Sequence, residues 1–230
     1  MSWIDNAKKR AASEAVKHVK DGFTVGLGSG STAAYAIKEI GRRIQREKLQ
    51  ILGVPTSHQA LRLAVDSGIP MTTLDEHPQL TFTIDGADQI DRELNLIKGM
   101  GGALTREKIV ASATKRLVIV ADETKMAEKL GKDQPLPLEV LPFALPTVIP
   151  RIQKLGGSPI LREGTGKVGP VVTDNGNFIV DADFGPIDSP KTLNSQLKSV
   201  PGVIETGLFI GMADVVYVGK PAGVDRLNRE

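Results

Sequence analysis

The chain has 230 residues, of which 40% are hydrophobic and 24% are charged, with a net charge of +2. These values are typical of a globular protein with one domain, or with one large and one small domain. The small net charge and the aromatic content of 4% disfavour nucleic-acid partners and membrane surfaces. The chain has no cysteine, which excludes disulfides, thiolate catalysis and cysteine-based zinc sites.

Targeting signals are not expected. Residues 1–10 carry charges where a secretory signal peptide has an apolar core. No stretch approaches the roughly 18 apolar residues of a membrane span. We therefore expect a cytoplasmic protein without a membrane anchor.

The first half of the chain alternates predicted helices and strands. Apolar residues at steps of three or four from Ile4 to Val19 predict an amphipathic helix that Asp21-Gly22 ends. Further elements are predicted in chain order: strand 23–27, a helix that follows the glycine-rich turn 26–32 and ends at about Arg46, strand 51–55, helix 59–66, strand 81–84, helix 105–113 and strand 117–121. This alternation predicts a parallel sheet covered on both faces, with functional residues at the carboxyl ends of its strands.

The second half has a different character. Five prolines between 135 and 150 predict a linker into a second unit. The elements predicted after it are strand 158–162, a hairpin over 171–183 that turns at Asn175-Gly176, helix 192–198 and strand 203–208. A last strand at 214–218 is predicted to return to the first sheet. The predicted fold class is α/β: a Rossmann-like parallel-sheet domain (1–130 plus 209–230) with a smaller α+β lid or interface domain (131–208).

The first candidate site is a glycine-rich loop between a strand and a helix, Gly26-Leu27-Gly28-Ser29-Gly30-Ser31-Thr32. Its glycines allow close backbone approach, and the helix N-terminus offers N–H groups to an anion. Ser31 in the sixth position excludes a dinucleotide fingerprint, and no Gly-Lys-Ser/Thr follows as in a P-loop. The alternative is an ordinary tight turn with a Ser or Thr helix cap.

A pair of carboxylates forms the second candidate. The segment Asp85-Gly86-Ala87-Asp88 directly follows a predicted strand, where a parallel sheet presents functional groups. Paired acids can hold sugar hydroxyls and move protons on oxygen, and Asp91 also lies close in sequence. The alternative is a turn, because Asp and Gly are common turn residues.

The third candidate is a lysine beside a glycine cluster, Lys98-Gly99-Met100-Gly101-Gly102. A point charge next to an exposed backbone predicts a second anion site. Glu107 follows in the first turn of a predicted helix, either facing a ligand or only compensating the helix dipole. Lys125, after strand 117–121, is either a phosphate contact or a solvated surface lysine. The three histidines are too far apart in sequence to suggest a metal site.

Taken in order, these segments resemble type A ribose-5-phosphate isomerases over nearly the whole chain. The resemblance rests on the segments 26–33, 85–88, 98–108, 121–125, 136–142 and 171–177. One departure is Met100, which stands where the family often has glycine. A methionine would be strained there if the position required a positive φ.

The resemblance implies a metal-free and cofactor-free isomerase of ribose 5-phosphate and ribulose 5-phosphate, in the non-oxidative pentose phosphate pathway. It implies Glu107 as the base and Lys98 as a stabiliser of the enediolate. Asp85 and Asp88 would hold hydroxyls and assist ring opening. The remaining implied substrate contacts are Gly28, Ser29, Gly30, Ser31, Thr32, Gly86, Ala87, Gly99, Met100, Gly101 and Lys125. It also implies a homodimer or larger homo-oligomer, which is a common assembly of soluble proteins.

Two other classes of function stay open at this point. One is a sugar-phosphate-binding regulatory domain without catalysis. Such domains normally carry a DNA-binding segment, and we expect no room for one before the first predicted helix. The other is an enzyme similar to acyl-coenzyme A transferases, with a glutamate nucleophile.

Overall fold

The predicted alternation of strands and helices is confirmed by the computed structural model, which describes residues 2–166 and 168–229. The helices are α1 (Trp3–Val16), α2 (Gly30–Glu47), α3 (His58–Asp66), α4 (Leu104–Ser112), α5 (Leu145–Lys154) and α6 (Pro190–Lys198). The strands are β1 (Thr24–Leu27), β2 (Leu52–Pro55), β3 (Phe82–Asp85), β4 (Gln89–Ile90), β5 (Leu96–Ile97), β6 (Leu117–Asp122), β7 (Leu136–Val140), β8 (Ser158–Leu161), β9 (Phe178–Asp183), β10 (Val203–Thr206), β11 (Leu208–Phe209), β12 (Val215–Lys220) and β13 (Gly223–Asn228). In the described part of the chain, no helix is both long and apolar enough to span a membrane.

The chain divides into two compact units. The first comprises residues up to 87, 106–126 and from 212 onward, and the second comprises 88–105 and 127–211. The second unit therefore includes 88–105, which the predicted domain division places in the first domain. Compactness does not show where an independently folding domain ends, so that division stays a prediction.

The first unit is built on a largely parallel sheet with the strand order β13-β12-β6-β3-β1-β2. Strands β2, β1, β3, β6 and β12 run parallel, and β13 pairs antiparallel with β12. The predicted return of the last strand is thus confirmed, because β12 lies beside β6. The chain places β2 on one side of β1 and β3 on the other. Such a reversal of strand order creates a ligand crevice at the carboxyl ends of the strands.

Local chemistry explains where the first helix begins and what it covers. Ser2 and Asp5 form a capping box, in which the Ser2 Oγ accepts from the Asp5 N–H at 3.1 Å. The alanines at the predicted apolar positions are fully buried, and α1 contributes Ala11, Ala15 and Val16 to the core between helices and sheet. Their small side chains allow the helix to lie close to β6 and β12.

The second unit contains two antiparallel sheets, with the strand orders β10-β7-β9-β8 and β11-β5-β4. One face of the larger sheet packs its apolar residues against α5 and α6 around a core that includes Leu138, Val180, Val148 and Leu197. The fold class is α/β with a central parallel sheet and additional antiparallel sheets, as predicted. The sequence pattern did not predict β4 and β11, because each strand has only two residues.

The proline-rich stretch is not a linker, so that prediction is wrong. It forms β7, which lies between β10 and β9, and much of α5. Within β7, Pro137 accepts a hydrogen bond from the Gly207 N–H at 2.7 Å, beyond the end of β10. An antiparallel residue directs its N–H and C=O to the same side. The missing N–H of Pro137 therefore falls outside the ladder and interrupts no pairing.

The predicted hairpin over 171–183 is only partly present. Its turn exists, with Gly176 at a φ of 80°, but the arm before it is limited to a single bridge between Val172 and Phe178. The turn is held by side chains instead. The fully buried Glu139 accepts from Thr173 Oγ1 at 2.9 Å, Asn175 Nδ2 at 3.0 Å and Asn177 Nδ2 at 2.8 Å. These charge-assisted bonds replace a second strand.

Candidate active site

The glycine-rich loop and Asp85 lie side by side at the carboxyl ends of β1 and β3. A Cβ on Gly28 would fall 2.1 Å from Asp85 Oδ1, so no larger residue fits there. The Asp85 side chain accepts hydrogen bonds from the N–H of Ser29 at 3.1 Å and of Gly86 at 2.7 Å. Asp85 is 1% exposed. This buried carboxylate is therefore fixed where the strand order reverses, as expected for a functional group.

Ser29 contacts residues that the sequence analysis missed. Its hydroxyl lies 2.8 Å from Thr56 Oγ1 and 2.6 Å from Ser57 Oγ. The Gly30 N–H donates to Gln59 Oε1 at 2.9 Å. These partners directly follow β2, the neighbour of β1. Their position after a parallel strand was the signal that could have identified them.

The capping interpretation of the loop is wrong for Ser29. Ser29 occupies the N-cap position of α2, but its side chain makes no cap hydrogen bond. Gly30 has a φ of 91°, which favours glycine, and Ser31 Oγ accepts from Lys8 Nζ at 3.1 Å. Thr32 is buried in the first turn. An anion site at the N-terminus of α2 stays a prediction, since the N–H groups of Ser29 and Gly30 donate to Asp85 and Gln59 in this structure.

Glu107 lies in the first turn of α4 and is 5% exposed. The helix is held close to the first sheet, since a Cβ on Gly26 of β1 would meet Val110 Cγ1 at 2.6 Å. A carboxylate that only compensates a helix dipole can remain in water, whereas burial of a charge is costly. The burial of Glu107 therefore favours a specific role.

Lys98 is 3% exposed and follows β5 in the second unit. Its N–H donates to the Gly207 carbonyl at 2.9 Å. Its Nζ lies 5.5 Å from the centre of the Phe209 ring, within the range of a cation–π contact. Burial on an apolar ring distinguishes Lys98 from a solvated surface lysine.

Met100 is not strained by its position in the glycine cluster. The positive φ values fall on Gly99 at 108° and Gly102 at 76°, and Met100 does not share them. The Gly102 N–H donates to the Gly99 carbonyl at 3.0 Å, which closes a turn with Met100 and Gly101 at its centre. The departure from the family's usual glycine is therefore compatible with this backbone.

The three aspartates near the end of β3 have different surroundings. Asp88 Oδ2 accepts from the Met100 N–H at 3.0 Å, which joins it to the Lys98 loop within the second unit. Asp91 instead accepts from the N–H groups of Glu93 and Asn95 at 2.9 and 2.8 Å. Asp91 therefore only stabilises its own turn, and it adds nothing to the case for the Asp85 and Asp88 pair.

Lys125 ends a short 3₁₀ turn that directly follows β6. Asp122 begins this turn and accepts from the N–H of Thr124 at 3.1 Å and from its hydroxyl. Lys125 is partly buried. It therefore lies at the carboxyl edge of the first sheet, where the parallel strands present their functional groups.

His18 has structural surroundings. His18 Nε2 lies 2.6 Å from the Tyr217 hydroxyl, and burial, with the positive charges of Arg116 and Arg226, lowers the pKa of His18. Residues 2–166 and 168–229 contain no group of three or more His, Asp or Glu side chains that could hold a metal ion.

A doubly wound sheet with a glycine-rich loop and a buried carboxylate at its reversal point is the architecture of α/β proteins that bind small molecules at the carboxyl ends of their strands. The family described as ribose 5-phosphate isomerase A (phosphoriboisomerase A) matches residues 52–223. Ribose-5-phosphate isomerase A of Methanosarcina acetivorans is 51% identical over 224 residues, which are 97% of this chain and 94% of that protein. The chain belongs to the ribose 5-phosphate isomerase A family.

Solved structures agree with this assignment. Ribose 5-phosphate isomerase A of Methanocaldococcus jannaschii is 45% identical, with a TM-score of 0.94 over 97% of this chain and 98% of that one. A D-ribose-5-phosphate isomerase in complex with phospho-erythronic acid is 44% identical, with a TM-score of 0.97 over 100% of both chains.

Proposed function

We propose that this chain interconverts D-ribose 5-phosphate and D-ribulose 5-phosphate, with Glu107 as the general base. The observation that carries this proposal is the identity of 51% to a ribose-5-phosphate isomerase A over 97% of the chain. The phospho-erythronic acid bound by a relative is a sugar-acid phosphate. Its carboxylate carries negative charge on two oxygens, as an enediolate does, which supports the same substrate class here.

The reaction needs one proton moved between carbons and one between oxygens. A base removes the proton from C2 of the open-chain aldehyde, and the electron pair passes through the C1–C2 bond to the aldehyde oxygen. The protonated base then returns the proton to C1, while the C2 hydroxyl loses its proton and O1 gains one. A single carboxylate can carry the carbon-bound proton in both steps. The buried Glu107 is the proposed carrier.

The other residues are proposed to hold the substrate and its developing charge. Lys98 stabilises the oxyanion of the enediolate, because a preorganised cation in a dry site acts strongly on such charge. Asp85 and Asp88 orient hydroxyls and assist ring opening. The remaining proposed substrate contacts are Gly28, Ser29, Gly30, Ser31, Thr32, Gly86, Ala87, Gly99, Met100, Gly101 and Lys125.

Incubation with ribose 5-phosphate, followed by a colour test for ketopentose, tests the activity. We expect ketopentose to form at a rate proportional to protein concentration, without added metal or organic cofactor. Binding of the sugar phosphate without product would indicate a regulatory domain, and thioester-dependent labelling of a glutamate would indicate a transferase. The comparisons favour neither alternative.

A cytoplasmic location is also proposed, supported by the absence of cysteine.

We further propose a homodimer formed through the second unit. Leu141 and Phe143 open the segment 141–149, and Phe143 is 91% exposed. Such a large exposed aromatic side chain favours an interface. In size-exclusion chromatography with light-scattering detection, the protein should have twice the subunit mass of 24.6 kDa.

Phe143→Glu tests this surface, since a charge at a dimer contact opposes association. We expect this variant to elute at the subunit mass. Val65→Glu, at an exposed apolar position on α3, is the control and should leave the mass unchanged. An unchanged mass for Phe143→Glu would place the contact elsewhere.

A further inference from the structure

We propose that Arg162 is a positioning residue that holds the turn 99–102 and, through it, the Asp88 carboxylate. Arg162 directly follows β8, and its guanidinium contacts both the adjacent strand and this turn, all within the second unit. The inference rests on the proposed function, because it gives Arg162 a part in the same reaction.

The guanidinium is anchored by Asp181 on β9. Arg162 Nε donates to Asp181 Oδ2 at 2.7 Å, and Nη2 donates to Asp181 Oδ1 at 2.5 Å. Both side chains are largely buried, with exposures of 14% and 19%. A bidentate pair of this kind fixes the plane of the guanidinium and therefore the direction of its remaining N–H groups.

The remaining guanidinium nitrogen, Nη1, contacts two successive carbonyls of the turn. Arg162 Nη1 donates to the Gly99 carbonyl at 3.1 Å and to the Met100 carbonyl at 2.9 Å. Inside the turn, the Gly102 N–H also donates to the Gly99 carbonyl at 3.0 Å, but Gly99, with a φ of 108°, has no side chain that adds a further restraint on these peptide groups. Arg162 supplies that restraint from outside the turn.

The restraint continues to Asp88. Met100 accepts a hydrogen bond from Arg162 through its carbonyl, and its N–H donates to Asp88 Oδ2 at 3.0 Å. Lys98 directly precedes the turn. A change in the Met100 peptides would therefore move the hydrogen bond that orients Asp88, and it would shift the backbone next to Lys98.

Arg162→Met tests the proposal, with Lys198→Met as the matched control. Lys198 also joins a carboxylate and a backbone carbonyl within the second unit, contacting Glu205 at 3.0 Å and the Ile204 carbonyl at 2.6 Å, but it does not touch the turn. We expect Arg162→Met to lower kcat about 10- to 100-fold, the cost of a small misplacement of reacting groups. KM should change much less, and Lys198→Met should keep the wild-type kcat.

Hydrogen–deuterium exchange of a peptide covering 98–104 provides a readout independent of activity. We expect faster exchange in Arg162→Met than in Lys198→Met or wild type, at equal circular dichroism. Arg162→Lys keeps the positive charge but loses the planar guanidinium and its several N–H donors. Its kcat and exchange rate should therefore resemble those expected for Arg162→Met, even if Arg162→Met folds poorly. A wild-type kcat and wild-type exchange in Arg162→Lys would overturn the proposal. A wild-type protein inactive on ribose 5-phosphate would instead refute the proposed function.

Discussion

Glu107→Gln is expected to lower kcat for ribose 5-phosphate by about 10² or more, the contribution of a general base. Glutamine keeps the size and much of the hydrogen bonding of glutamate, but it cannot accept the proton from C2. KM should therefore stay close to that of the wild type, because substrate binding does not require the base. Initial rates over a range of substrate concentrations separate the two constants.

Asp5→Asn is the control for this substitution, because Asp5 is a first-turn acid whose role is confined to its helix end. If Glu107 only compensated the dipole of α4, both variants would lose a little stability and keep their activity. Turnover close to wild type in Glu107→Gln would exclude this residue as the base. Loss of solvent exchange into C2 of the substrate would independently support the assignment.

The sequence predicted best where local pattern and tertiary structure agree. The alanine stripe of α1 indicated a buried face, and α1 contributes that face to the core. Short strands that alternate with helices indicated a parallel sheet with functional groups at its carboxyl edge. The position of Asp85 beside Gly28 follows from the same rule, since β1 and β3 are neighbours.

The failures arose where tertiary pairing decides the structure. The prolines after 134 indicated a linker, but Pro137 lies in β7 at a position where its missing N–H disrupts no pairing. Whether a strand tolerates proline depends on the neighbouring strand, which a local pattern does not contain. Arg162 was missed for the same reason. It contacts a turn some sixty residues earlier in the chain, and no spacing rule connects the two.

Lys98→Met is the second substitution expected to have a large effect on catalysis. Methionine has a similar length and also packs against aromatic rings such as Phe209, so the main change is the loss of the cation. We expect transition-state stabilisation to fall by roughly 2–4 kcal/mol, the scale for loss of one preorganised electrostatic group. The loss should appear in kcat rather than KM, because the enediolate oxygen carries its charge only beyond the ground state.

Lys132→Met, at an exposed lysine of the same unit, controls for the general effect of removing one positive charge. Its kcat and KM should match those of the wild type, because an exposed surface charge is screened by water and salt. Thermal unfolding of each variant shows whether any lost activity comes from unfolded protein. A rise in KM at unchanged kcat in Lys98→Met would assign Lys98 to ground-state binding of the phosphate. The enediolate would then be stabilised by the backbone N–H groups of the neighbouring loops.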